Sequence, residues 1–298
     1  MKLADGVFVA DLHLREKIPI ARTDKYFPAM WDKFKFINSL AKEHDCPVFC
    51  SGDFFNHWKP TPELLSTTIN AMTANWLTIY GDHDLPNHSL KLKHKSGLTT
   101  LEKAGKITII KGGHGDNKSN SKLPKRTRPV LLKIKDKLIL RKIMMWHILT
   151  WHKELPYPGC EVSNAKQLLK KYPQYDCILT GDNHLSFVVK YKGRLLVNPG
   201  SMMRNNADQI NYKPAVWLYY AKTNTVKPVY LPIEKGVISR EHIEIKNQRN
   251  ERIDAFVSKL KTDFKLTMDF KQNVIRFFGK NKTKKKVKKI ILNHMENE

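Results

Sequence analysis

Trp76-Leu77-Thr78-Ile79-Tyr80-Gly81-Asp82-His83-Asp84 is the stretch on which the fold turns. An apolar run stops at a glycine, and acid, imidazole and acid follow at once. The run reads as a buried strand. A strand that delivers such a turn can build a site at the carboxyl edge of a sheet. Four other stretches end the same way. Val7-Phe8-Val9-Ala10 meets Asp11-Leu12-His13, and Pro47-Val48-Phe49-Cys50 runs into Ser51-Gly52-Asp53. Lys142-Ile143-Met144-Met145-Trp146 ends at His147, and Asp176-Cys177-Ile178-Leu179-Thr180 leads to Gly181-Asp182-Asn183-His184. Strand ends on one edge converge in space. The carboxylates of Asp11, Asp53, Asp82 and Asp182 cannot sit close together ionised without cations between them. Two divalent ions roughly 3.5–4 Å apart remove that conflict and create a hydrolytic site.

Between these ends the chain alternates in character. Trp31, Phe34, Ile37 and Leu40-Ala41 share one face of a helix expected over 31–44. Thr61-Pro62-Glu63 opens a second, running to about Met72, with an N-cap, a proline at the first position and an acid in the first turn. Short helices are expected at 98–104 and 163–172, and strands at 107–110, 188–191, 195–197 and 216–220. Residues 130–134 and 137–140 read as a hairpin about Lys135-Asp136. Beyond Gly236 the strand signal fades, and 249–260, 269–278 and 283–295 look helical. Strands alternating with helices, then a run of strands, give an α/β or α+β layered sandwich. The expected organisation is one domain over 1–235 and a basic helical extension over 236–298.

A chain of 298 residues can bury a full core and carry an appendage. Hydrophobic residues at 41% describe a globular protein and exclude a disordered one. No apolar run approaches the roughly 20 residues of a membrane span. The stretch from Met1 to Ala10 carries an aspartate among its apolar residues and reads as a first strand, not a secretory signal. Cys46, Cys50, Cys160 and Cys177 lack any CxxC spacing and sit in or beside apolar runs. They are expected to be reduced thiols of a cytoplasmic protein.

The charge is the strongest compositional feature: 53 basic against 28 acidic residues give +25. Such a field attracts polyanions, nucleic acid first. The excess is clustered. Residues 280–289 include Lys284, Lys285, Lys286, Lys288 and Lys289, at the turn of an expected αα-hairpin. A second cluster holds Lys118, Lys122, Lys125, Arg126 and Arg128. Neither has an ordered aromatic platform for stacking bases, so contact with backbone phosphates is expected, without sequence reading.

The five strand ends, in this order, resemble the calcineurin-like metallophosphoesterase family. Its pattern is Asp-x-His, Gly-Asp-x-x-Asp, Gly-Asn-His-Asp/Glu, a lone His, then Gly-His-x-His. Within the family the chain looks most like the SbcD-type DNA-repair exonucleases, phage-encoded members included, and the Asn198-Pro199-Gly200-Ser201 turn fits that picture. The resemblance implies a double-sheet αββα sandwich with metals at the carboxyl ends of the strands. One ion would be held by Asp11, His13, Asp53 and His184. The other would be held by Asp53, Asp82, His147 and Asp182, with Asp53 bridging. The resemblance also implies that His83 contacts phosphate and protonates the leaving oxygen, that Asp84 orients His83, and that a hydroxide between the ions attacks phosphorus in line. His152 competes with His147 for the lone-histidine role, but His147 ends its strand and His152 lies five residues further on.

Three positions depart from the pattern. Asn56 replaces the second Asp of Gly-Asp-x-x-Asp. Asp82 replaces the usual Asn, and Asp182 replaces the first His of Gly-His-x-His. The last two fall on the same ion. They enrich it in hard oxygen donors, which favours manganese, or magnesium, over zinc. The added negative charge favours a diester over a monoester dianion. The expected function is a two-metal phosphodiesterase acting on nucleic acid, a DNA nuclease. The alternatives are a phosphatase or small-nucleotide phosphodiesterase, and a weakly catalytic nucleic-acid-binding subunit. An SbcC-type coiled-coil ATPase, contacted through the C-terminal helices, or a second copy of the chain is the expected protein partner.

Overall fold

The structure, a computed structural model, describes residues 3–110, 127–132, 141–153, 155, 162–263 and 270–295; at 127–132 and 260–263 it describes the backbone alone. The chain divides into two compact units after Ser239.

The first unit is built on two sheets. In one, β1 (Gly6–Val9), β2 (Val48–Cys50), β3 (Trp76–Thr78) and β4 (Ile107–Ile109) run parallel in sequence order. The other holds β5 (Thr127–Leu132), β6 (Arg141–His147), β9 (Cys177–Gly181), β10 (Phe187–Tyr191) and β11 (Arg194–Asn198), in the order β10-β11-β9-β6-β5. Between β6 and β9 in the chain, β7 (Thr150–Trp151) and β8 (Ser163–Asn164) form a small separate pair. The antiparallel strands β12 (Ala215–Tyr220) and β13 (Thr225–Tyr230) return to the first sheet and extend it beyond β1.

The alternation along each strand explains the layers, because successive side chains point to opposite faces. Phe8 and Phe49 enter a core shared with Ile143, Met145, Cys177, Leu179, Leu195 and Val197, between the sheets. Val7, Val9, Val48 and Cys50 face the other way, onto α1 (Tyr26–Glu43), α2 (Pro62–Ala71) and α3 (Gly97–Lys103). Met144, Trp146, Ile178 and Leu196 face α4 (Ala165–Lys171) on the far side. Strands buried on both faces read as continuous apolar runs, and here they occupy the middle of a four-layer αββα sandwich. Asn38 of α1 is buried under the first sheet, where its Oδ1 accepts from the amides of Thr73 and Ala74 and from Trp76 Nε1. Truncating it would leave the buried Trp76 Nε1 without its acceptor, at about 1–3 kcal/mol.

Sequence and structure differ at particular elements. The first helix starts at Tyr26, not Trp31. Pro28 lies in its first turn, where a missing amide costs nothing. The hairpin expected about Lys135-Asp136 has its turn and second arm outside the described residues, and the described partner of β5 is β6. Strand β13 was masked in the sequence by Pro228, which is tolerated because β13 is an edge strand. Thr61 caps α2 as its sequence demands, its Oγ1 accepting from the Leu64 amide at 3.2 Å.

The second unit holds α5 (Glu241–Asp263), α6 (Phe270–Lys280) and α7 (Lys285–Met295). Val274 and Phe278 are buried among Phe256, Phe277, Ile291, Leu292 and Met295. The α6–α7 pair is a helical hairpin in which Lys284 lies in the connection and Lys285, Lys286, Lys288 and Lys289 lie at the start of α7.

Candidate metal centre

Every chemistry-bearing side chain leaves the carboxyl end of a parallel strand. β1 delivers Asp11 and His13, β2 delivers Asp53, and β3 delivers Asp82 and His83; from the second sheet, β6 delivers His147, and β9 delivers Asp182 and His184. The two edges are tied together. Ser51 Oγ donates to the Thr180 carbonyl at 2.7 Å, and His147 Nδ1 faces the Ser51 carbonyl at 2.8 Å.

The backbone is bent hard to make this convergence. Asp11, His13, Asp53 and Asp182 have φ of 49°, 47°, 51° and 75°. The left-handed region costs a non-glycine residue roughly 1–2 kcal/mol, and such strain gathers at functional sites. Gly81 permits the closest approach. A methyl carbon there would overlap the Asp53 amide and carboxylate. Gly52 combines φ of 101° with a position where a Cβ would strike His147.

The side chains form three overlapping groups whose ligand atoms lie within 4.8 Å of one another: Asp11, His13 and His184; His13, Asp53 and His83; and Asp11, Asp53 and His147. His13 Nε2 and His184 Nε2 face each other at 3.1 Å, and Asp53 Oδ2 lies 3.7 Å from His13 Nε2 and 3.3 Å from His147 Nε2. His13 Nδ1 and His147 Nε2 are buried without a hydrogen bond. Buried imidazole nitrogens and carboxylate oxygens that converge on one place are the donor set of a divalent cation. The residues present therefore fit the group that the sequence implies.

The charges of the cluster shift its members in opposite directions. Burial alone would raise the Asp53 carboxyl, but His147, His13 and His83 override it and hold the group below the usual carboxylate range. Burial would lower His147, yet Asp53 and Asp11 lift it to about 10. Burial pushes His13 and His184 below the usual histidine value and raises Asp11.

The expected second ligand set is only partly assembled. Asp53 and His147 are in it. Asp82 and Asp182 stand outside the three groups. The Asp182 amide donates to both Asp11 oxygens, at 3.0 and 3.2 Å, and Asp82 Oδ1 lies 3.8 Å from His88 Nδ1. His152 is exposed and packs beside Phe187, so among the described residues His147 is the one that joins the cluster.

Asp84 requires a correction. The sequence assigns it to orient the His83 ring. Its fully buried carboxylate instead accepts the amides of Gly81, Phe54 and Phe55. It locks the β3 turn against the β2 turn, and burial raises its pKa to about 6. His83 is held differently: its amide donates to Asp53 Oδ1 at 2.9 Å, and its Nδ1 faces the Asn56 carbonyl at 2.8 Å. The ring is exposed and lies edge-on to His13 at 4.8 Å. Sequence reasoning missed this carbonyl because main-chain acceptors leave no residue signature. It also missed how the Asn198–Ser201 turn braces the site. Asn198 Nδ2 donates to the carbonyls of Asn183 and Leu185, the Ser201 amide to that of His184, and the Met202 amide to that of Asp11.

Of the basic positions, Lys118, Lys122, Lys125 and Arg126 lie outside the described residues, and Arg128 is on β5 with its backbone alone described. Lys284, Lys285, Lys286 and Lys289 are exposed. Lys288 is half-buried, with its Nζ donating to the Phe278 carbonyl at 3.0 Å and lying over the Phe278 ring. Cys50 and Cys177 are free and buried, Cys46 is free and half-buried, and burial raises all three thiols. Among the described residues no helix is long and apolar enough to cross a membrane.

A family profile described as calcineurin-like phosphoesterase matches residues 7–186. No curated protein matches the chain. Among solved structures, an archaeal phosphodiesterase is similar at 14% identity and a TM-score of 0.40, covering 76% of this chain and 99% of that one. Vacuolar protein sorting 29 from Cryptosporidium parvum is similar at 16% identity and a TM-score of 0.34, covering 78% of this chain and all of the other.

Proposed function

The chain belongs to the calcineurin-like phosphoesterase family, and we propose that it is a nucleic-acid phosphodiesterase, a DNA nuclease of the SbcD type. The observation that carries this reading is the convergence of Asp11, His13, Asp53, His147 and His184, with exposed His83 at its rim. Asp11, His13, Asp53 and His184 would hold one divalent ion. Asp53 and His147, joined by Asp82 and Asp182, would hold the other. When bound, such ions neutralise phosphoryl oxygens and make water a nucleophile at neutral pH. The chain's own residues do the rest. The Asn56 carbonyl can only accept, so His83 Nδ1 carries a proton, and the imidazolium form of the ring would bear on Nε2 the second proton, the one passed to the departing oxygen. Asp53, through the His83 amide, fixes that ring relative to the cluster.

The preference for a diester rests on charge. Asp82 and Asp182 add negative charge beside the centre, which disfavours a dianionic monoester more than a singly charged diester. Metal-stripped protein should hydrolyse bis-p-nitrophenyl phosphate faster than p-nitrophenyl phosphate once manganese is restored, with magnesium second. Full activity in zinc alone would contradict the hard-donor assignment.

Nucleic acid is favoured by the +25 charge and by the exposed Lys284, Lys285, Lys286 and Lys289 at and just after the start of α7. Replacing Lys284, Lys285, Lys286 and Lys289 with glutamine should reduce the slope of log K against log salt for duplex binding by about 3 to 4. An unchanged slope in the fourfold variant would remove these lysines from the binding surface. The same reading carries a cytoplasmic location and an SbcC-type ATPase or a second copy as partner.

A further inference from the structure

A cavity of about 290 Å³ lies next to the centre, lined by Arg15, Glu16, Lys17, Asn56, His57 and Lys59 among others. No role assigned above uses it. Its composition is unusual for the rim of an acidic cluster, with three permanent cations against one carboxylate. That carboxylate is already committed, because Glu16 Oε1 accepts the Thr61 amide at the start of α2. His57 Nδ1 accepts the Lys59 amide at 3.2 Å, which fixes the turn that forms one wall.

Arg15 is the informative residue. It follows His13 by two positions, and its charge reaches the His13 ring. Its Nε is buried and makes no hydrogen bond. A buried guanidinium N–H without an acceptor is costly, and the planar guanidinium fork matches phosphate oxygens in a bidentate geometry. Asn56 gives the distance relation. It lines this cavity, and its carbonyl holds His83. Asn56 thus links the cavity wall to the side chain placed at the departing oxygen.

We propose that this cavity is a second phosphate subsite, in which Arg15, supported by Lys17 and Lys59, binds the non-scissile phosphate adjacent to the one being cleaved. The proposal rests on the phosphodiesterase reading and deepens it. The preferred substrate carries at least two consecutive phosphates along one strand, which separates a polynucleotide from a small diester with one.

The test compares dTpdT, which has one phosphate, with pdTpdT and dTpdTp, which have two, in manganese. Cleavage of the internal bond is followed by chromatography. The wild-type protein should show a kcat/KM for one of the doubly phosphorylated dinucleotides at least about tenfold above dTpdT, the scale of one hydrogen-bonded contact to a charge. In Arg15→Gln that ratio should fall toward one, chiefly through KM. Arg15→Lys should restore part of it, and Lys59→Gln, an exposed change, should lower it by a smaller factor. A wild-type ratio of one, or an unchanged ratio in Arg15→Gln, overturns the subsite. A second readout needs no catalysis. In EDTA, Arg15→Gln should lower the salt slope of oligothymidylate binding by about one, and an unchanged slope counts against the subsite. Release of terminal phosphate from pdTpdT with the internal bond intact would refute the diesterase reading itself, and the salt slope would still report on Arg15.

Discussion

Replacing His83 with alanine should lower kcat on a phosphodiester by about 100- to 10,000-fold, the range of a positioned general acid. The metal content of the protein should stay the same. The structure separates these effects because His83 is exposed at the rim of the cluster, while the ligand atoms of His13, Asp53 and His147 are buried beneath it. Its Nδ1 is engaged by the Asn56 carbonyl, and Asp53 receives its backbone amide, which alanine retains. A diester with a p-nitrophenolate leaving group needs little protonation, so the loss should be smaller there than on an internucleotide bond with an alkoxide leaving group. Rapid-quench measurement on both substrates, with metal analysis of the dialysed variant, checks this. Equal losses on both would remove His83 from the leaving-group side.

Asp53→Ala should have the second large effect and a different signature. Its carboxylate approaches both His13 and His147, and its backbone occupies the left-handed region to bring it there. It belongs to two of the three ligand groups, one shared with His147 and one with His13 and His83. Removing a mere outer-sphere support in a metal site costs about 10–100-fold, so loss of a shared ligand should exceed about 100-fold in kcat/KM. Here bound manganese, measured after equilibrium dialysis, should drop as well. Retention of two ions per chain in Asp53→Ala would show that the carboxylate does not bridge them.

Much of the centre was legible in the sequence because buried parallel strands announce themselves twice. They appear as short apolar runs, and as the glycine-plus-acid turns that follow. A layered sandwich followed from the same runs, since strands apolar on both faces need a cover on each side, whereas its four αββα layers were implied by the family resemblance. Three things were not legible. The pairing of β5 with β6 and the edge strand β13 depend on long-range hydrogen bonds that leave little local pattern. The role of Asp84 was misassigned because an acid one residue after a histidine looks like its partner. In the strand-end turn the two side chains diverge, and the acid turns inward to three amides. The hold on His83 passes through the Asn56 main chain, so Asn in place of the expected Asp at 56 leaves that contact intact. The lysine turn was readable as charge, but the inward commitment of Lys288 needed coordinates.

Incubation of the metal-stripped protein with manganese and end-labelled single- and double-stranded DNA, beside a chromogenic monoester, tests the central claim most directly. Shortening of the labelled DNA, abolished by EDTA and by Asp53→Ala, with slow release from the monoester, is the expected result. Rapid monoester hydrolysis with the DNA left intact would contradict it.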